Sequence, residues 1–343
     1  MGQTKQRKVF VLGAGNFGTS LSQHLARLGH EVCVWSIEKD VVDGINNKHK
    51  NPKYLREIDL VSSITATTEL DSELIRSSDL ILNAIPVQYM RDVWRKLKPL
   101  IHDDHLITCA SKGIEVGSLS LPGDIFENTI GKDLANKVVF ISGPSFAVEV
   151  AERLPTAVSA ASFNQGCAKS IQAIFHDSFF RVYTSEDPVG VEVAGALKNV
   201  VAIAAGAAKG LGFEANTSAA LLTRGLAEIS RFGVKLGANP LTFNGLSGVG
   251  DLFLTCTSEK SRNFTVGYRL GKGEDIKEII STLGSVAEGV STAQAAYELS
   301  QKLKIDSPIT AEVHQVLYHR KSINDAVTDL ISREPKSEIN SMN

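Results

Sequence analysis

Apolar and polar positions follow two different rhythms along this chain, and the change falls near residue 187. In the first half, short apolar runs recur at Val9–Leu12, Glu31–Trp35, Leu80–Ala84, Leu106–Ala110, Val138–Ile141, Ala157–Ala161 and Phe180–Tyr183. Runs this short and this rich in Val, Ile and Leu predict strands buried on both faces. Between the first two, Phe17–Leu28 spaces its apolar residues at helical intervals and stops at Gly29. Repeated alternation of this kind predicts an α/β fold, a largely parallel sheet with helices on both faces.

After Ser185-Glu186-Asp187-Pro188, a helix-start signal, the strand rhythm disappears. Val189–Ala208, Thr217–Leu236, Asp275–Leu283, Thr292–Leu303 and Ile309–Tyr318 all read as helices. The chain therefore divides into a sheet domain, 1–190, and an all-helical C-terminal domain, 191–343. Val189–Ala208 is apolar on nearly every face, interrupted only by Glu192, Lys198 and Asn199. Such a helix is expected to be buried, and a buried ammonium without partners costs several kcal/mol or loses its proton. Lys198 thus has partners inside a site, or works there as a proton donor, or packs its stem on the helix and reaches water.

The glycines of Gly13-Ala14-Gly15-Asn16-Phe17-Gly18 join the first strand to the first helix. In that context Gly13 makes the tight turn, Gly15 admits a pyrophosphate to the backbone, and Gly18 lets helix and strand approach. The sheet domain therefore reads as Rossmann-type and dinucleotide-binding. No acid stands at the tip of the second strand, where Trp35-Ser36-Ile37 precedes Glu38 and Lys39. An acid there would repel a 2′-phosphate, so NADP is permitted and NAD is not excluded.

Other strand ends carry polar or turn-forming residues: Asn83-Ala84-Ile85-Pro86, Ser111-Lys112-Gly113 and Ser142-Gly143-Pro144-Ser145. Lys112 reads either as an anion contact or as a solvated turn lysine. Gly143 to Ala147 resembles a strand-to-helix elbow with exposed N–H groups, or is only a helix cap located where a ligand belongs. In the helical half, Ser247-Gly248-Val249-Gly250-Asp251 is a flexible Gly-rich approach to a polar stretch, Thr255 to Asn263. Within it, Ser261-Arg262-Asn263 suits capture of a phosphate by a guanidinium fork. As a bare tripeptide it equally suits a solvated loop, and Asp251 suits either a helix cap or a site.

Composition narrows the partners. At 343 residues, two domains are the default. The formal net charge of −2 gives no global attraction to nucleic acid or anionic membrane, so an anionic ligand needs a local basic site. Cys33, Cys109, Cys167 and Cys256 show neither paired spacing nor a nearby His cluster. That argues against a zinc site or disulfide scaffold and suits a reducing cytosol. Met1 to Lys8 lacks the signal-peptide pattern, and Gln6 stands where acylation at Gly2 wants Ser or Thr. Lys198 and Asn199 break the longest apolar run below the ~20 residues of a membrane span. A soluble, cytoplasmic protein is expected, and its apolar helical domain points to a homodimer.

In order and spacing, these pieces resemble the NAD(P)-dependent glycerol-3-phosphate dehydrogenases of the bacterial soluble type. The matching elements are Gly13–Gly18, Ser111–Gly113, Gly143–Ala147, Gly195–Val200 around Lys198-Asn199, Gly248–Leu252, Ser261–Asn263 and Ala287-Glu288-Gly289. The likeness runs from about Val9 to the Arg333–Lys336 region. It implies reduction of dihydroxyacetone phosphate to glycerol 3-phosphate with NADP or NAD and without a metal, for phospholipid synthesis. By resemblance Lys198 transfers the proton, and Lys112, Gly143, Ser145, Asp251, Ser261, Arg262 and Asn263 surround the three-carbon substrate. Gly13, Gly15, Asn16, Phe17, Gly18, Lys112, Ala147, Arg262, Val286 and Glu288 are implied to contact the dinucleotide. Many members carry Trp where this chain has Phe17, and a basic residue where it has Ser36-Ile37. Burial is expected to lower the Lys198 pKa, with Asn199 or Asp251 orienting the amine. Two rivals are a 3-hydroxyacid or ketopantoate-type reductase, and a dinucleotide sensor without chemistry.

Overall fold

The computed structural model describes residues 5–284, 286–335 and 337–338. Residues 1–4, on which the leader and acylation readings partly rest, and Lys336, the far end of the resemblance, lie outside them. Two compact units emerge. One contains the chain up to Lys112 together with Ser120–Glu192; the other contains Gly113–Leu119 and everything from Val193 onward. Gly113–Leu119 thus groups with the helices, an excursion that a single cut near residue 190 does not describe.

In the first unit the order is β1 (Lys8–Leu12), α1 (Asn16–Arg27), β2 (Glu31–Trp35), α2 (Lys39–Lys48), β3 (Thr65–Thr67), α3 (Ser72–Arg76), β4 (Leu80–Asn83) and α4 (Val87–Leu97). There follow β5 (Leu106–Cys109), α5 (Pro122–Ile130), α6 (Lys132–Ala135), β6 (Val139–Ser142), α7 (Ala147–Ala151), β7 (Thr156–Ala161), α8 (Gln165–Phe175) and β8 (Phe180–Ser185). The eight strands line up as β3-β2-β1-β4-β5-β6-β7-β8. Every pairing is parallel except β6 with β7, where the connection carries only the five-residue α7 and reverses the chain. The winding changes direction between β1 and β4, which opens a crevice at their carboxyl ends.

Alternation along β1 builds two cores. Val9 and Val11 pack with Leu21 and Leu25 of α1 and Ile171 and Phe175 of α8 on one face. Phe10 and Leu12 pack with Met90 and Trp94 of α4 and Phe126 of α5 on the other. Each such side chain, fully buried, contributes about 1.5–3 kcal/mol. Of the sheet, β3 escapes the sequence reading: a polar edge strand of three residues, Thr-Ala-Thr, gives no apolar run.

The second unit is built from α9 (Pro188–Gly210), whose first residues belong to the first unit, α10 (Ala215–Lys235), α11 (Asp251–Thr257), α12 (Arg262–Gly271), α13 (Ile276–Thr282), α14 (Glu288–Leu303), α15 (Pro308–His319) and α16 (Ile323–Ile331). By length and composition α9 does qualify as a membrane span, contrary to the sequence expectation, but 83% of its apolar window is buried inside the protein. Three helices were not foreseen. Both α11 and α12 lie where the sequence suggested a flexible loop, and α16 is a short amphipathic helix capped by Ser322, whose Oγ accepts from the Asp325 N–H.

Glycines let α9 and α12 touch backbone to backbone. A Cβ on Gly267 would lie 2.8 Å from the Ile203 carbonyl carbon, and one on Gly271 would lie 2.5 Å from the Ala207 oxygen. From the α9 side, Gly206 faces Phe264 and Tyr268, and Gly210 faces Gly271. Each helix contributes its glycines four residues apart, on one face. The two helices therefore run in the same direction in a fixed register.

Candidate active site

In the first unit, the turn after β1 gives each glycine of the loop a separate duty. Gly13 has φ +107°, and a Cβ there would sit 2.9 Å from the Ala84 oxygen. Gly18 lies against the Gly13 carbonyl and within 3.2 Å of the Ala84 methyl, by the same test. Gly15 is different: nothing comes within 4 Å of its Cβ position. The folded chain needs Gly13 and Gly18 small but leaves open space beside Gly15, which is what a cradle for a ligand requires. Gly15 also precedes α1 as its N-cap and supplies no side-chain cap, so the helix start is left to backbone N–H groups. Asn16 turns its Oδ1 to the Leu55 N–H at 3.2 Å, while Asn51 and Thr19 bind the Ala14 carbonyl and stiffen the turn.

At the neighbouring strand ends, Asn83 of β4 donates to the Ser111 hydroxyl at 2.7 Å, and Ser111 donates to the Ile85 carbonyl. Trp94 fixes the other side of the same amide. This network anchors the backbone that carries Lys112, whose ammonium stands 5.9 Å from the centre of the Phe17 ring. Cys109, inside it, is pushed up to about 12 by burial and is no nucleophile. After β6, Gly143 takes φ +148°, Ser145 donates its hydroxyl to the Gly143 carbonyl at 2.9 Å, and Ala147 begins α7. The chain passes here from strand to helix, as the sequence expects. At the end of β2, Ser36 is buried and its Oγ accepts from the Glu38 N–H, while the Glu38 carboxylate is held by Lys53 at 2.7 Å.

The second unit resolves the ambiguity over Lys198. Only 7% exposed, it does not reach for water. Its Nζ donates to Asp251 Oδ1 at 2.5 Å and to Thr255 Oγ1 at 3.0 Å. Asp251 and Thr255 stand one turn apart on α11, so they share a face. The carboxylate compensates a charge that burial alone would penalise. Asp251 is therefore more than a cap, and Thr255, which the sequence offered only as the edge of a polar stretch, is a second partner of the Lys198 ammonium. Cys256 beside them is held protonated by burial.

Ser261 is the N-cap of α12, accepting from the Phe264 N–H, with its own hydroxyl proton still available. Arg262 donates to the Val286 carbonyl at 3.1 Å, and Asn263 accepts from the Gly289 N–H at 3.0 Å. Gly289, beside Glu288 at the start of α14, also lies against the Asn199 carbonyl: a Cβ there would come within 2.7 Å of it. Asn199, Arg262, Asn263, Val286 and Gly289 thus form one cluster around the N-terminus of α12, a site with positive dipole and guanidinium together. Lys198 belongs to the same end of the α9–α12 pair. Among the described residues no group of three or more His, Cys, Asp or Glu is placed to hold a metal ion.

The family model for the NAD-dependent glycerol-3-phosphate dehydrogenase N-terminus matches residues 8–168, and that for its C-terminus matches residues 187–328. The chain belongs to the NAD-dependent glycerol-3-phosphate dehydrogenase family. Its relatives include the glycerol-3-phosphate dehydrogenase [NAD(P)+] of Leptospira biflexa, 46% identical over 96% of this chain and 99% of that one. The enzyme of the same description from Bacillus velezensis is 45% identical over 97% and 96%. A crystal structure of glycerol-3-phosphate dehydrogenase from Coxiella burnetii superposes with a TM-score of 0.91 at 38% identity, covering 96% of this chain and 99% of that chain. The Rossmann-type domain followed by helices is thus the family's architecture as well as this chain's.

Proposed function

We propose that the protein reduces dihydroxyacetone phosphate to glycerol 3-phosphate, reversibly, with Lys198 as the proton donor. The observation that carries the role of Lys198 is its buried ammonium, fixed by Asp251 and Thr255 on one face of α11. The space beside Gly15 and the uncapped start of α1 fit the pyrophosphate of a dinucleotide. The nicotinamide coenzyme, when bound, supplies the hydride. As charge develops on the ketone oxygen, Lys198 stabilises it and delivers a proton, while Asp251 and Thr255 keep Nζ from rotating away. Arg262 holds the phosphate, with the Ser261 hydroxyl and the Asn263 amide NH₂ as further donors.

Substrate binding is assigned to Lys112, Gly143, Ser145, Lys198, Asp251, Ser261, Arg262 and Asn263. Coenzyme binding is assigned to Gly13, Gly15, Asn16, Phe17, Gly18, Lys112, Ala147, Arg262, Val286 and Glu288. With Ser36 rather than an acid at the tip of β2, and Lys53 shared there between Glu38 and Asp40, NADPH is accepted alongside NADH. A cytoplasmic location suits its four free thiols, and a homodimer suits the apolar helical unit. The test follows nicotinamide absorbance on adding dihydroxyacetone phosphate, with NADPH and then NADH. Rapid oxidation is expected with the phosphorylated ketone and little with dihydroxyacetone. Equal rates on both would remove the phosphate role of Arg262, and bound coenzyme without oxidation would refute the reaction.

A further inference from the structure

The helical unit holds a cavity that the proposed reaction leaves unused. Its volume is about 510 Å³, within the ~300–1,000 Å³ of pockets that bury small ligands. Apolar side chains from five helices form most of its wall, among them Ile203 of α9, Leu221 of α10, Leu270 of α12, Val313 of α15 and Val327 of α16. Phe213 is the one aromatic ring among the lining residues, so the wall suits an aliphatic body better than a stacked ring.

Arg224 breaks this apolar surface. It follows Leu221 by three positions on α10, so the two share a face. Half-buried in the wall, its guanidinium has neither hydrogen bond nor ion pair among the described residues. The neighbouring charges are committed elsewhere. Glu228 caps α15 through the Ile309 and Thr310 N–H groups, Arg231 donates to the Asp306 carbonyl, Glu312 pairs with Lys321, and Arg333 pairs with Asp306. Glu334 and Glu338 stand exposed on the C-terminal stretch, where water screens them. A half-buried fork of donors set in a largely aliphatic wall is matched by an anion at the end of an aliphatic chain.

We propose that this cavity binds a single-chain fatty carboxylate, its tail between α10 and α16 and its head on Arg224. The inference does not depend on the dehydrogenase reading. The test is calorimetric titration of the full-length protein with dodecanoate below its micellar concentration, with dodecanol as the uncharged arm. Saturable binding of one dodecanoate per chain is expected, with dodecanol at least about tenfold weaker because it forgoes charge-assisted hydrogen bonds. Arg224→Gln should bring dodecanoate down to the level of dodecanol, with unchanged turnover as evidence of folding. Val327→Phe narrows the cavity from the opposite wall and should weaken both ligands. The proposal is overturned if wild type shows no saturable uptake, or if Arg224→Gln binds dodecanoate as wild type does. It is equally overturned if Val327→Phe leaves uptake intact while sedimentation shows a dimer turned to monomer, which gives the groove to a second copy of the chain.

Discussion

Substituting alanine for each loop glycine in turn separates what folding needs from what the ligand needs. At Gly15 the backbone, φ −64° and ψ 178°, is open to any residue, and nothing lies within 4 Å of the new methyl. Losing glycine at an N-cap costs up to about 1 kcal/mol, and the stiffer unfolded chain returns about 0.4–1 kcal/mol. The apo protein carrying Gly15→Ala should therefore keep its stability to within about 1 kcal/mol. Gly18→Ala drives a methyl into the Gly13 carbonyl, a backbone neighbour that cannot swing aside. Overpacking of this kind costs about 1–3 kcal/mol, against about 1 kcal/mol of helix propensity gained. Gly13→Ala adds a left-handed φ to a 2.9 Å clash and should be the worst of the three. Coenzyme binding should rank differently, with Gly15→Ala losing tenfold or more because its methyl occupies the pyrophosphate's place. Thermal melts of the apo proteins and titrations of NAD(P)H fluorescence measure the two orders. Wild-type coenzyme affinity in Gly15→Ala would refute the cradle, and a melt as low as that of Gly18→Ala would refute the steric account.

Lys198→Ala should lower kcat by ~10²-fold or more with near-normal coenzyme affinity, and should cost about 3–5 kcal/mol because it strands the buried Asp251. Lys198→Met with Asp251→Leu should restore much of that stability and none of the turnover; recovered turnover would disprove the proton-donor role. Arg262→Ala should raise KM for dihydroxyacetone phosphate far more than it lowers kcat, and Arg262→Lys should rescue poorly because a point charge lacks the fork; unchanged KM would move the phosphate elsewhere. Burial raises the Glu192 carboxyl well above its ordinary value, although it accepts from the Gly123 N–H. Its contribution is complete below the ordinary glutamate pKa and is lost as pH rises through the folded one. Denaturation from pH 5 to pH 8 should therefore show Glu192→Gln gaining on wild type as pH rises, and parallel curves would refute the shift.

The central strands were legible because burial on both faces writes itself as unbroken apolar runs, and the polar edge strand β3 was not because nothing covers it that way. Lys198 was legible as an anomaly, a charge in an apolar helix. Its partner Asp251 lies 53 positions away and Thr255 57, separations that no local period encodes. The stretch from Ser247 to Asn263 misled for a related reason. Its glycines and hydroxyls read as a loop when taken singly, yet Ser261 caps α12 and Asp251 opens α11.

The glycines of α9 and α12 account for the assembly of the helical site. Spaced four apart on each helix, Gly206 and Gly210 on one and Gly267 and Gly271 on the other are ordinary small residues until their partner is known. Facing one another, they bring two backbones into contact, which leaves no side chain able to repack and absorb a slip. The register that sets Ile203 against Gly267 and Ala207 against Gly271 carries Lys198 and Asn199, one to two turns back, to the level of Arg262 and Asn263. Gly289 checks that extrapolation independently, because it lies against the Asn199 carbonyl and the Asn263 side chain at once. The amine assigned to the ketone oxygen and the guanidinium assigned to the phosphate are thus held in register by residues that touch neither. A three-carbon substrate leaves little tolerance between those two groups, and a misplacement of about 1 Å can cost a hundredfold in rate. On the roles proposed for Lys198 and Arg262, rigidity at the α9–α12 crossing is therefore part of the chemistry, supplied by the absence of side chains where the two helices meet.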